Sequence, residues 1–221
     1  GAGADAHPLL GTALPSPMGD RLFLQTWDLE RQGFVADHVI YGMPFVPGTA
    51  YLEMGLAAAK DLFGDVPVAL ADVNLKEAFV LQDGQRKEVQ GVVREEPEGP
   101  RLHLFSRAAS GTGGADGAEE WKGHADLGLR RLEDLGPLPE AAFNPAAVAE
   151  NLTENRSGED FYATCEAIGY VYQNRHRVVE HLWWNEREAM SKVVVPVGDE
   201  RAPSIYTADP GALDSIIQIF I

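Results

Sequence analysis

A helix that is apolar on most of its surface constrains the fold of this chain most strongly. Between Thr49 and Phe63, apolar side chains recur at helical spacing and also fill much of the remaining circumference. Such a helix must be buried on several sides rather than lie on a surface. Gly48 or Thr49 is expected to cap its N-terminus.

Strand-like segments surround this helix in the sequence. They alternate in polarity or are rich in β-branched and aromatic residues, and they are separated by Gly- and Pro-containing turns. These segments comprise residues 21–29, 87–94, 101–107 and 121–129. The first 130 residues therefore predict one central helix wrapped by an antiparallel sheet.

The remainder of the chain resembles a second, divergent copy of this unit. We predict a first unit over residues 1–134, a linker rich in Pro, Glu and Ala over 135–150, and a second unit over 151–221. The second unit begins with a helix at 158–168 and ends on an apolar helix at 212–221. Because no strands follow that last helix, the second unit is expected to be incomplete.

Composition narrows the classes of function. The net charge of −16 disfavours binding to nucleic acid or to an anionic membrane. No apolar run is long enough to span a bilayer, and no signal peptide opens the chain. Cys165 is the single cysteine, so an intramolecular disulfide is excluded. These features predict a cytoplasmic, soluble protein.

A histidine lies just before the central helix. His38 is separated from that helix by a loop containing Gly42, Pro47 and Gly48. The N-terminus of a helix offers free N–H groups, and a histidine exchanges a proton near neutral pH. The pairing suits acid–base chemistry, although a lone histidine is also compatible with a structural role.

Five segments with distinctive residues occur in order along the chain. They are His7-Pro8-Leu9-Leu10-Gly11, His38-xxx-Gly42-xxxx-Pro47, Trp121-xx-His124-Ala125-xx-Gly128, Gly169-Tyr170-Val171-Tyr172 and Asp209-Pro210-Gly211-Ala212-Leu213-Asp214-xxx-Gln218. Together they resemble polyketide synthase dehydratase domains. The histidine segment is similar to the active-site segment of that family, and the last segment is similar to its second catalytic motif.

The resemblance implies an α+β double hotdog, in which two antiparallel sheets each wrap one helix. It implies a catalytic dyad of His38 from the first hotdog and Asp214 from the second. The implied reaction removes water from a β-hydroxyacyl group carried on the phosphopantetheine of an acyl carrier protein. It also implies neighbouring polyketide synthase domains, a homodimer, and no cofactor bound by the domain itself.

The resemblance predicts a role for each dyad residue and for its neighbours. Neutral His38 would act as the base, and Asp214, kept protonated by a nonpolar pocket, would act as the acid. Gln218 would orient Asp214 or hold the substrate hydroxyl, and Tyr172 would offer a further hydroxyl contact. Pro47 and Gly48 would shape the substrate site, with the backbone N–H near Gly48 meeting the thioester oxygen.

Structural roles remain open for several of these residues. Asp214 could be a carboxylate favoured by a helix N-terminus, Gln218 a simple neighbour on the helix, and Tyr172 a core residue. The histidines outside the motif, namely His103, His176 and His181, have no spacing typical of a metal site. With one cysteine in the chain, we predict no metal.

The sequence also departs from the family. Where the family usually continues Tyr-Gly-Pro-x-Phe-Gln, Tyr172 is followed by Gln-Asn-Arg-His-Arg, and Asp209 occupies a position that is usually His. These departures leave two alternatives to dehydration. One is double-bond isomerisation or ring closure by the same dyad, and the other is a non-catalytic scaffold.

Overall fold

The computed structural model describes residues 6–109, 120–137, 144–195 and 205–220. Within them, the strands in chain order are β1 Thr12–Leu14, β2 Arg21–Trp27, β3 His38–Ile40, β4 Met43–Pro44, β5 Val68–Leu75, β6 Lys87–Glu96, β7 Gly99–Ala108, β8 Lys122–Arg131, β9 Glu154–Ser157, β10 Tyr170–Tyr172, β11 Val179–Trp184 and β12 Ala189–Val193. The α-helices are α1 Gly33–Ala36, α2 Gly48–Phe63, α3 Pro145–Ala149, α4 Gly158–Ala167 and α5 Pro210–Ile217. Short 3-10 helices cover Leu132–Leu135, Asn174–His176 and Gln218–Phe220.

The first unit is an antiparallel six-stranded sheet around α2. Its strands lie in the order β1-β2-β6-β7-β8-β5, and every neighbouring pair is antiparallel. Ala50, Met54 and Ala58 of α2 are buried in the main core cluster. Gly55 allows the helix to approach the sheet closely, because a Cβ there would sit 3.0 Å from the side chain of Leu70. The predicted wrapped helix is therefore confirmed.

The second unit pairs another helix with another sheet. Strands β12, β11 and β9 form an antiparallel sheet in that order. Phe161, Tyr162 and Cys165 of α4 are buried with Leu182 of β11 in a separate core cluster. The α+β class is thus confirmed.

The predicted boundaries between the units stay a prediction. Within the predicted linker, 135–150, the described residues include the end of a 3-10 helix and all of α3, which Asn144 caps by accepting from the backbone N–H of Ala146. Residues 138–143 lie outside the described residues, as does residue 221. No helix among the described ranges has both the length and the apolarity that a bilayer crossing requires.

Strand pairing and buried hydrogen bonds join the units. Strand β10 of the second unit pairs with β3 of the first, with Tyr172 opposite His38. The Thr49 hydroxyl donates 2.8 Å to the carbonyl of Pro210 in a buried bond. Neither Gly48 nor Thr49 caps α2 as the sequence predicted: Pro47 occupies the N-cap position without a side-chain bond. The Thr49 hydroxyl instead donates to a carbonyl at the start of α5.

Buried Glu53 strengthens the same joint. Its carboxylate, fully inaccessible to solvent, accepts the backbone N–H groups of Thr207 and Ala208 at 2.7 and 2.6 Å. It also lies 3.0 Å from Nε2 of His7. Helix α2 therefore fixes the segment that leads into α5, which carries Asp214.

Candidate active site

A two-residue hairpin turn determines the orientation of His38. Strands β3 and β4 pair so that Tyr41 and Gly42 form the turn, and both have positive φ, 50° and 78°. Such turns match the twist of the paired strands and favour glycine, which explains the glycine of the motif. The hairpin returns Phe45 to His38, where its carbonyl lies 2.9 Å from Nδ1.

This contact determines which nitrogen of neutral His38 carries the proton. A carbonyl oxygen only accepts, so Nδ1 must donate to Phe45. The lone pair of the neutral ring is then on Nε2, which lies 3.8 Å from Oδ2 of Asp214. Burial lowers the pKa of His38 below its ordinary value of 6.5, against the opposing charge of Asp214. His38 is therefore a neutral base with its free lone pair facing the aspartate.

Asp214 lies within α5 rather than at its start. The N-cap is Asp209, whose side chain accepts from the backbone N–H of Ala212. Asp214 is buried, and its Oδ2 accepts from Nε2 of Gln218 at 2.9 Å. Gln218 is one turn further along, as the sequence predicted. The helix N-terminal alternative for Asp214 does not fit this placement.

A cavity of about 300 Å³ has both dyad residues on its wall. Pro47 and Gly48 line it beside them, so the structure brings four predicted site residues to one space. The remaining lining residues are Ile40, Phe45, Val46, Tyr51, Leu75, Lys76, Glu77, Ala78, Phe79 and His124. The walls are mostly apolar, as a site for an acyl chain requires.

Tyr172 and Gln218 lie behind the dyad rather than on this wall. The ring of Tyr172 is 5.5 Å from that of His38, and burial, together with the charge of Asp214, raises the pKa of its hydroxyl. The Gln218 amide donates to Asp214 and to the carbonyl of His176, while its oxygen accepts from Tyr162. Both residues hold the dyad in place in this structure.

His176 also contacts the dyad, and sequence reasoning missed it. It is fully buried, and its Nδ1 lies 3.1 Å from Oδ2 of Asp214. Its Nε2 lies 3.0 Å from the carbonyl of Phe34. The available signal was the departure from the family pattern, because His176 occupies the position where that pattern has Phe.

The departures from the family pattern contact one another. Arg175, in the same altered segment, pairs with Asp209 at 2.6 Å, and Asp209 is itself the residue found in place of the family's His. The two segments approach so closely that a Cβ on Gly211 would lie 2.9 Å from Cβ of Arg175. The altered segment and α5 therefore fit each other as a pair.

The fold and the site define a class: two sheet-and-helix units that bring a histidine and an aspartate to one acyl-sized cavity. Two family models match the chain, "Polyketide synthase dehydratase domain" over residues 7–107 and "Polyketide synthase dehydratase N-terminal domain" over residues 140–221. The chain belongs to the polyketide synthase dehydratase domain family.

Curated relatives are large polyketide synthases. One component of the phenolphthiocerol/phthiocerol polyketide synthase of Mycobacterium tuberculosis is 29% identical over 75% of this chain and 7% of its own length. Polyketide synthase GfsB of Streptomyces halstedii is 27% identical over 96% of this chain and 4% of its own length. The chain thus spans a small fraction of the relatives that it matches.

Solved structures confirm the double hotdog. The dehydratase domain from the CurF module of the curacin polyketide synthase superposes with a TM-score of 0.82, at 24% identity, over 97% of this chain and 76% of that one. The dehydratase domain from the CurK module gives a TM-score of 0.79 at 22% identity, over 96% and 72%.

Proposed function

We propose that this chain removes water from a β-hydroxyacyl thioester to give an α,β-unsaturated thioester. The observation that carries the proposal is the placement of His38 Nε2 and Asp214 Oδ2, 3.8 Å apart on the wall of one mostly apolar cavity. A base and an acid on one wall suit a reaction in which one proton leaves carbon and another joins oxygen.

His38 starts the reaction. Its Nε2 lone pair takes the proton from the α-carbon, and the electrons of that C–H bond form the Cα=Cβ double bond. The Cβ–O bond breaks as the hydroxyl receives a proton from Asp214, so that water departs. His38 ends as imidazolium and Asp214 as carboxylate, and a proton returned from Nε2 to Oδ2 restores the starting state.

The start of α2 acts on the thioester. During α-proton removal, negative charge develops on the thioester oxygen, and backbone N–H groups at the start of α2 stabilise it. Gly48 also leaves space in the cavity beside Leu75, because a Cβ at Gly48 would lie 3.1 Å from the Leu75 side chain. Pro47 precedes the helix in extended conformation and directs the chain into it.

Gln218 and Tyr172 support the dyad. Gln218 donates to Asp214 while its own amide is fixed by Tyr162 and by the carbonyl of His176, so the carboxyl is held in one orientation. The Tyr172 ring packs against His38. The contact of the Tyr172 hydroxyl with substrate that the sequence predicted has no support from this geometry, because Tyr172 is buried and lies outside the cavity wall.

The setting of the reaction is proposed from the relatives. They are polyketide synthases, which supports a substrate presented on the phosphopantetheine of an acyl carrier protein, with neighbouring synthase domains, a homodimer and a cytoplasmic location. In the CurK dehydratase, a His-to-Phe mutant and an Asp-to-Asn mutant are each inactive. The same residue types form the dyad here.

Mass spectrometry tests the proposal. The protein is incubated with a series of 3-hydroxyacyl N-acetylcysteamine thioesters and, separately, with the corresponding 2-enoyl thioesters. Loss of water from the first series, abolished in His38→Phe, is the expected result. A product of unchanged mass and altered retention would instead indicate isomerisation or ring closure. No change in either series, with folded protein, would support a scaffold and overturn the proposal.

A further inference from the structure

Both ring nitrogens of the fully buried His176 face oxygen atoms. Nε2 lies 3.0 Å from the Phe34 carbonyl, which can only accept, so Nε2 must carry a hydrogen. Nδ1 lies 3.1 Å from Oδ2 of Asp214. The residue is held through its backbone as well, because the His176 carbonyl accepts from the amide of Gln218.

These contacts determine how many protons lie between His176 Nδ1 and Asp214 Oδ2. If the ring were neutral and Asp214 ionised, the Nδ1 lone pair would face a carboxylate oxygen with no hydrogen between them. Such a contact is repulsive and buried, which makes it costly. The geometry instead fits one proton between Nδ1 and Oδ2, as imidazolium with carboxylate or as imidazole with carboxylic acid. Either form is neutral overall, as burial favours.

We propose that His176 is a positioning residue that shares one proton with Asp214 and so keeps a proton available for the leaving hydroxyl. This inference rests on the proposed function. In the reaction, the hydroxyl takes the shared proton from Oδ2, which leaves carboxylate beside neutral imidazole. The proton that His38 removed from the α-carbon then moves from its Nε2 to Oδ2, 3.8 Å away, and restores the shared state.

Apart from His38, which returns a proton to Asp214 after turnover, the neighbouring tyrosines and the paired charged side chains do not supply or remove the shared proton. Burial raises the pKa values of Tyr51, Tyr162 and Tyr172, so these tyrosines stay neutral, and burial lowers that of His38. The charged neighbours have partners of their own. These pairs are Arg175 with Asp209, Arg177 with Glu166, Lys76 with Asp126 and His7 with Glu53.

A pH–rate profile distinguishes proton sharing from packing. His176→Gln keeps a polar side chain that can donate to Asp214, but an amide cannot hold the proton. On the basic side of the profile, we expect the dehydration rate of His176→Gln to fall at a pH at least one unit lower than in the wild type. At pH 8.5 its rate should be at least tenfold below the wild-type rate. His181→Gln, whose ring contacts Asn155 on the second sheet, serves as the matched control and should keep the wild-type profile.

Nitrogen NMR of histidine-labelled protein tests the shared proton without turnover. In the wild type, we expect the chemical shift of His176 Nδ1 to lie between the values of a protonated and an unprotonated ring nitrogen, and to stay there from pH 6 to 9. In Asp214→Asn, the chemical shift should move to the value of an unprotonated nitrogen. A wild-type signal that titrates like a solvent histidine, or one identical in both proteins, would overturn the proposal.

The two failures can be told apart. If the wild type dehydrates no thioester, the proposed function fails, and the NMR comparison alone decides whether the pair shares a proton. If the wild type is active and His176→Gln keeps its basic limb, proton sharing is overturned while dehydration stands. If His176→Gln does not fold, the comparison of the wild type with Asp214→Asn decides whether the proton is shared.

Discussion

At the scale of single residues, backbone carbonyls decide the chemistry of the site. The Phe45 carbonyl places the free lone pair of His38 on Nε2, and the Phe34 carbonyl places a hydrogen on Nε2 of His176. His38 and Asp214 were predictable because they lie in motifs of a known family. His176 was not, because its role depends on Phe34 and Asp214, which are distant in sequence and adjacent only after folding.

The acidic limb of the pH–rate profile reports His38. Burial lowers its pKa, so the neutral, basic form persists below pH 6.5 and is lost only when the pH falls through that lowered value. We therefore expect activity on a 3-hydroxyacyl thioester to be nearly constant from pH 7.5 to 6.5. A midpoint of the acidic limb at or above pH 6.5 would contradict the burial argument.

Gly48→Ala should impair catalysis more than folding. The new methyl group would lie 3.1 Å from Leu75, whose exposed side chain can shift, and alanine favours a helix by up to about 1 kcal/mol over glycine. We expect an unchanged or higher melting temperature with a several-fold lower kcat/KM. Gly33→Ala, where a Cβ meets nothing within 4 Å, is the control and should keep kcat/KM.

At the scale of elements, strong local patterns were predictable and short pairings were not. The helix over 49–63 has apolar residues at helical spacing, and the strands over 87–94 and 101–107 alternate in polarity, so both kinds of element could be identified from sequence. Strands β3 and β10 have three residues each, too few for a pattern; β10 forms by pairing with β3 across the two units, and β3 also pairs with β4. The predicted cap at Gly48 or Thr49 was wrong because the helix begins one residue earlier, with Pro47 at the N-cap, and the Thr49 hydroxyl donates to Pro210.

Thr49→Val should weaken the joint between α2 and α5. Valine keeps the shape of threonine but removes the hydroxyl that donates to the buried Pro210 carbonyl, at a cost of roughly 0.5–1.5 kcal/mol. Denaturant unfolding measures this loss. Thr12→Val, on an exposed residue of β1, is the comparison and should change stability by less than about 0.5 kcal/mol. Equal effects of the two substitutions would argue against the joint.

At the scale of the whole molecule, the site exists because two units are fixed against each other. Each unit alone supplies one half of the dyad, and the bonds of Thr49 and Glu53 join them at the start of α5. The double hotdog was predictable from ordered motifs spread along the chain. The way in which the two units pack against each other could not be predicted, since buried hydrogen bonds between residues distant in sequence determine it.

Stability should fall as the pH drops below 6.5. Burial lowers the pKa values of His38 and His124, so the folded state binds fewer protons than the unfolded state in that range. Unfolding then takes up protons, and each contributes a slope of up to about 1.4 kcal/mol per pH unit. Unfolding free energies from pH 7.5 to 5.5 should show a shallower slope in His38→Phe. Equal slopes would contradict this account of His38.

A double-mutant cycle on the dehydration rate tests the central claim most directly. The rate on one 3-hydroxyacyl thioester is measured for the wild type, His38→Phe, Asp214→Asn and the double variant, all shown to be folded. If the two side chains act as one unit, each single substitution costs about 10²–10⁴-fold and the double costs little more than the worse single. Losses that multiply, or a single variant with near wild-type rate, would contradict a dyad of His38 and Asp214.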